Sequence, residues 1–291
     1  EVLQRGIDKG LVVPPSQSNP NLINKTLGGI SGQAATEQAA SIKNQSTVNN
    51  LAREAIGLPK DAQLSMGTLE QVRNAAAAPY REIAAISPSA KKLLEDLKQA
   101  RFNANEQYQF YQRSGNPEAR VSAENYSSQI NRIENLFERY ATSINRPGLV
   151  DALREARTRI AKTYDVEKAL NVSTGDVDAR VLGKLFDKSP AKFSGPLKTI
   201  GEFANAAPQS VQDRVGRTPP FISPIDMYSG LGLAGGGAMY SGSPAGLIAG
   251  ALPLARPLTR AAILFKPYQS IMAQPNVSNL SGLDSAWLGL L

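Results

Sequence analysis

The chain has 291 residues, 42% of them hydrophobic and only 6% aromatic, with a formal net charge of +7. It contains no cysteine and no histidine, which excludes disulfides, zinc sites built on Cys or His, and Ser-His-Asp or Cys-His nucleophile systems. A core poor in rings must be built from Ala, Leu, Ile and Val, which suits helix packing better than a sandwich or barrel, and the interspersed charges form no tail of one sign.

The chain opens on Glu1 rather than Met, from which we expect a processed chain or a segment of a longer polypeptide; no positively charged, apolar signal segment leads it. Glu1 to Leu27 is broken by Pro14, Pro15 and Pro20 and rich in Asn and Ser. It reads as an extended arm, and its composition fits a disordered leader equally well. From about Ser31 to Ile56 the Ala- and Gln-rich sequence has helical propensity but a thin apolar stripe, the pattern of a helix that packs through small residues or binds a partner.

Four stronger helices follow. Thr68 is placed to cap the first, which carries Leu69, Val72 and the run Ala75 to Ala78 before Pro79 bends or restarts it near Tyr80. Ser87-Pro88 starts the second, reaching about Gln112 with Leu93, Leu97, Ala100, Ala104, Tyr108 and Tyr111 on one stripe, and Gly115 and Pro117 end it. The third presents Tyr126, Ile130, Ile133, Phe137, Tyr140 and Ile144 at alternating steps of four and three, a heptad seam. Pro147 and Gly148 separate it from the fourth, with Leu149, Leu153, Ala156, Ile160 and Tyr164. The last three should form an antiparallel bundle or long hairpins. Charges such as Glu134, Glu138 and Arg139 read as a solvated face. Asp176 is placed to cap a short helix with Val181, Leu182, Leu185 and Phe186, and another spans roughly Pro196 to Ala206.

Beyond Pro208 the composition changes. Pro219, Pro220 and Pro224 mark a linker, and Met227 to Ala255 holds no charged residue. An amphipathic helix is expected over Leu258 to Met272, then an irregular tail with an apolar tip at Trp287, Leu288, Leu290 and Leu291. The prediction is therefore a mainly α protein, a helical bundle or hairpins with an extended N-terminal arm (1–30), a helical domain (31–207), a Pro/Gly-rich uncharged segment (208–257) and a C-terminal helix and tail (258–291).

Few motifs carry chemistry. Gly230-Leu-Gly-Leu-Ala-Gly235 matches a dinucleotide fingerprint, but no strand precedes it and no acidic residue lies about 20 positions on to hold a ribose, so it reads as a flexible or close-packing segment and no cofactor is expected. Gly242, Gly246 and Gly250 recur every four residues, which in an apolar helix allows close helix packing or a membrane contact; the alternatives are a buried small-residue segment or a loop. Arg154, Arg157 and Lys162, with Arg159, form a basic helical stretch that fits phosphate contact, although Asp151, Glu155 and Asp165 dilute it and no aromatics interleave. Glu95 and Asp96 are adjacent and do not face each other, so no paired-carboxylate site is expected.

Leu153-Arg-Glu-Ala-Arg-Thr-Arg-Ile-Ala-Lys-Thr-Tyr164 with its continuation to Asn171, Gly195-Pro-Leu-Lys-Thr-Ile-Gly-Glu-Phe-Ala-Asn205, Leu11-Val-Val-Pro-Pro15 and Val215-Gly-Arg-Thr-Pro-Pro220 resemble segments of tailed-phage and prophage virion proteins of the internal, DNA-ejection type. The resemblance touches about half the chain and includes no catalytic signature. It implies a non-enzymatic virion protein inside the capsid or tail that assists genome delivery and reaches the host cell envelope on ejection. The partners it implies are further copies of the chain (a homo-oligomer), portal or tail proteins, phage DNA and the host membrane. The alternatives are a portal- or tail-associated subunit without a delivery role, or a non-catalytic spacer of a large multidomain phage polypeptide.

Overall fold

The computed structural model describes residues 1–19, 22–212 and 257–272. The protein is mainly α, and it divides into two compact units. One is Ile56–Glu167; the other joins Glu1–Ala55 to the described residues from Lys168 onward. The boundaries expected at 30 and 207 therefore do not mark the compact units, because the start of the chain packs with residues that follow Lys168. The segment with Gly242, Gly246 and Gly250, the fingerprint at Gly230 and the tip at Trp287 lie outside the described residues.

The Ile56–Glu167 unit holds α5 (Met66–Ala76), α6 (Ala78–Ala84), α7 (Pro88–Ser114), α8 (Pro117–Ser143) and most of α9 (Pro147–Ala169). Ser65, not Thr68, caps α5: its hydroxyl accepts the Thr68 N–H at 3.2 Å, placing Thr68 in the first turn. The restart at Pro79 is as expected. Ser87 caps α7 by accepting the Ala90 N–H at 3.1 Å, with Pro88 in the first turn where its missing N–H costs nothing. Gly115 ends α7 at φ +68, a left-handed conformation that suits glycine, and Asn116 then caps α8. The hairpin of α7 and α8 follows directly from that punctuation.

The core of this unit joins Tyr80 and Ile83 of α6, Leu94, Leu97 and Ala100 of α7, Ile133, Phe137 and Ala141 of α8, and Leu149, Leu153, Ala156 and Ile160 of α9. The three seams pack on one another, with two shifts. Leu94 is buried where Leu93 is only partly so, and Ala104, Tyr108 and Tyr111 toward the hairpin tip are half-buried.

In the other unit, the expected extended arm is a packed element. It forms α1 (Val2–Asp8), a short α2 (Pro15–Ser18) and α3 (Leu22–Ser31), and Leu11, Val12 and Val13 between α1 and α2 are buried. The prolines interrupt helices here without preventing burial. α4 (Gln33–Ile56) explains how its thin stripe suffices. Thr36, Ser41, Asn44 and Asn49 are buried beside Ala40, Val48, Leu51 and Ala52; Thr36 bonds the Gly32 carbonyl at the start of its own helix, while Ser41, Asn44 and Asn49 bond the backbone of Gln212, of Val12 and Ser210, and of Val177. A buried polar group bonded in this way avoids the desolvation cost of an orphan.

After α9 the chain makes a two-residue antiparallel ladder, β1 (Leu170–Asn171) with β2 (Asp176–Val177). Asp176 lies in β2 rather than capping; Asp178 caps α10 (Ala179–Lys188) by accepting the Arg180 N–H at 2.8 Å. α11 (Pro196–Ala206) starts and ends as the sequence indicates. It meets α10 closely, since a Cβ on Gly201 would lie 2.8 Å from the Phe186 Cβ.

The expected single helix over Leu258 to Met272 is two short ones, 257–263 and Lys266–Met272. Pro267 cannot donate to the Ile263 carbonyl four residues back, so the first helix stops. The Gln269 side chain takes that carbonyl at 2.6 Å, and Lys43 of α4 takes the Leu264 carbonyl at 2.7 Å.

Candidate functional site

The best-defined constellation of charge in the Ile56–Glu167 unit is a buried carboxylate between two guanidinium groups. Glu134 of α8 is 5% exposed. Its Oε1 accepts from Arg101 of α7 at 2.7 Å and its Oε2 pairs with Arg157 of α9 at 2.6 Å. The solvated face expected around Glu134 is therefore wrong at this residue. It occupies the inward position next to Ile133 on the heptad seam, and a charge there is tolerated because both oxygens have cationic donors.

Tyr80 completes the cluster. Its ring meets Phe137 edge to face at 5.2 Å, and the Arg101 guanidinium lies over it at 5.2 Å. Burial pushes the Tyr80 hydroxyl up to about 12, and the Glu134 charge adds to this while Arg101 and Arg157 oppose it. Tyr80 is thus held neutral at physiological pH, with Arg101 as its hydrogen-bonding neighbour. A second couple lies nearby in sequence: Arg73 of α5 pairs with Glu167 of α9 and sits 4.6 Å over the Tyr164 ring.

These pairings decide what the basic stretch of α9 can do. Arg157 is held by Glu134 and also donates to Asn131 at 2.7 Å. Arg154 pairs with Glu138 at 3.1 Å. Arg159 donates to the Ile56 carbonyl at 2.8 Å and the Gly57 carbonyl at 3.1 Å. Three of the four basic residues hold parts of the same unit together, so a phosphate would compete with an internal partner at each. Lys162 is half-buried. The structure brings Arg157 into a network but does not assemble Arg154, Arg157 and Lys162 into one open basic surface.

A cleft of about 270 Å³ lies at the α8–α9 turn, lined by Thr142, Asn145, Arg146, Pro147, Val150, Asp151 and Arg154. Its two arginines are also engaged, Arg146 with Glu82 at 2.8 Å and Arg154 with Glu138. The Glu134 network is a closed set of charges, whereas the Arg146–Glu82 pair is exposed on both sides and Arg154 is exposed in its pair with Glu138. With both oxygens of Glu134 accepting from arginine, that carboxylate is not aimed at a substrate.

Among the described residues no group of three or more acidic, His or Cys side chains is placed to hold a metal, and no helix is long and apolar enough to cross a membrane. No family model, curated protein or solved structure matches the chain. The sequence contained one signal for the network, namely Glu134 falling beside the apolar seam, but no spacing rule links it to Arg101 and Arg157 on two other helices.

Proposed function

We propose that the chain is a non-enzymatic structural protein of a tailed-phage or prophage virion, of the internal type that assists genome delivery into the host. The observation that carries the structural half of this reading is the Arg101–Glu134–Arg157 network. Its charged groups are spent on tying three helices together rather than aimed at a ligand. A helical brace of this kind suits a part whose task is to hold shape and meet neighbours. The virion half rests on the resemblance of the stretches Leu153 to Asn171 and Gly195 to Asn205.

On this reading the partners are further copies of the chain, portal or tail proteins, and on delivery phage DNA and the host envelope. The uncharged segment with Gly242, Gly246 and Gly250 is the proposed contact with a like neighbour or membrane. Removing the chain tests the proposal. Particles lacking it should still assemble and adsorb but transfer much less DNA, measured as genome entry into labelled host cells. Unchanged DNA entry would overturn the delivery role.

A further inference from the structure

α10 buries one face and presents the opposite one to solvent. Ala179, Leu182 and Gly183 are buried, and Gly183 and Phe186 lie against Asn205 and Gly201 of α11. The outer face carries Arg180, Lys184 and Lys188 at steps of four residues, which sets them in one row with about 6 Å between successive positions. Lys192 follows four positions further on, in a single 3-10 turn, Pro190–Lys192. The next residue, Phe193, holds that turn to α10, its ring meeting Phe186 edge to face at 5.8 Å. Lys184, Lys188 and Lys192 are exposed.

Like charges at this spacing repel one another, and the helix itself accounts for only one of them. Lys188 stands in the last turn, where a cation is favourable. Lys184 in the middle has no such role. Arg180 stands in the first turn, where positive charge opposes the helix dipole and the capping Asp178 at 3.3 Å offsets it. Unlike the arginines of α9, Lys184, Lys188 and Lys192 form no ion pair or side-chain hydrogen bond among the described residues. The nearby carboxylates are engaged elsewhere: Asp187 accepts from Asn205 at 2.7 Å, and Glu202 pairs with Arg5 at 2.8 Å and Lys198 at 3.8 Å. The row lacks a counter-charge of matching repeat, which a polyanion would supply.

We propose that the row Arg180–Lys184–Lys188–Lys192 is a sequence-independent contact for the phosphate backbone of duplex DNA. Phosphates offer the repeated negative charge that a row of cations neutralises. Lysines act there as point charges and read no base, and the one arginine is held by Asp178. Single strands fit less well because no ring is open for stacking on a base: Phe193 is buried and Phe186 half-buried, each against the other. A membrane surface fits less well because α10 spends its apolar face on α11 and has none left to enter the headgroup region. The inference gives the DNA contact of the proposed function a place on the chain, and it rests on that reading only for the identity of the polyanion.

The purified full chain and a short labelled duplex, followed by fluorescence anisotropy over a range of salt, test it without particles or host cells, so its failure leaves the genome-delivery reading to its own experiment. Lys184→Gln, Lys188→Gln and Lys192→Gln together should flatten the slope of log affinity against log salt by about 2.7, since each neutralised phosphate contributes about 0.9. Lys184→Arg, Lys188→Arg and Lys192→Arg together should keep the slope. Lys60→Gln, Lys91→Gln and Lys92→Gln remove the same charge from exposed lysines elsewhere and should leave the slope near that of the parent chain. All six lysines are exposed, so circular dichroism should report one fold throughout. No duplex binding by the parent chain at low salt, or an equal loss in the two glutamine variants, would overturn the proposal. So would a loss of binding to phosphatidylserine vesicles with duplex binding retained.

Discussion

Replacing Glu134 by Ala should destabilise the Ile56–Glu167 unit far more than an ordinary change at a charged helical position. Removing one partner of a buried ion pair typically costs about 3–5 kcal/mol, because the remaining charge is left without compensation. Two guanidinium groups are orphaned here, with side chains 14% exposed for Arg101 and 35% for Arg157. Arg157 can turn toward water, whereas Arg101 is confined over Tyr80, so the lower end, about 3 kcal/mol, is expected. For a unit of this size that corresponds to a fall of about 12–20 °C in the unfolding midpoint. Urea and thermal unfolding followed by circular dichroism measure it. The triple variant Arg101→Met, Glu134→Leu, Arg157→Met removes every charge together and should recover most of the loss, since a buried network replaced by apolar groups is often neutral. A loss under about 1 kcal/mol for Glu134→Ala would place it with surface substitutions and refute the buried network.

Asn44→Ala should cost about 3 kcal/mol or more, because the Val12 N–H, the Val12 carbonyl and the Ser210 carbonyl all lose a buried partner; chemical denaturation, with faster exchange of the Val12 amide proton, checks it. The alkaline limb of stability should fall from about pH 10, where an unfolded tyrosine ionises. With the folded-state values of Tyr80 and Tyr268 near 12, the unfolded chain loses protons first, so stability is full below about pH 10 and is lost as pH rises through 12. Tyr80→Phe should flatten that fall, and an unchanged pH profile would contradict the shift at Tyr80. Gly201→Ala should destabilise by about 1–3 kcal/mol through overpacking against Phe186, read as a lower urea midpoint.

Helix identity was legible wherever punctuation and periodicity agreed. Ser87-Pro88 and Gly115 bound α7, Pro196 opens α11, and the seam from Leu149 to Ile160 is buried on one face. The failures share a cause. Apart from the helix break at Pro267 and the shifted caps, each is a place where a side chain bonds the backbone or a charged group of a residue distant in sequence. Leu11 to Val13 look like part of an extended arm until Asn44 and Gln269 are seen to satisfy their backbone. α4 looks too polar to be central until Ser41, Asn44 and Asn49 are seen as its contacts. The partners of the α9 arginines, Glu134, Glu138 and the Ile56 carbonyl, have no signal in the local sequence. Local sequence specifies periodicity, caps and breaks, but it does not specify which distant carboxylate or carbonyl will face a given arginine. Caps slipped by two or three residues, from Thr68 to Ser65 and from Asp176 to Asp178, where more than one capping residue type was available.

The functional account is tested most directly by quantitative mass spectrometry of purified particles before and after triggered genome release. An internal delivery protein is present and protected in intact particles and depleted from the emptied ones. Its absence from intact particles, or an unchanged amount after release, would contradict the account.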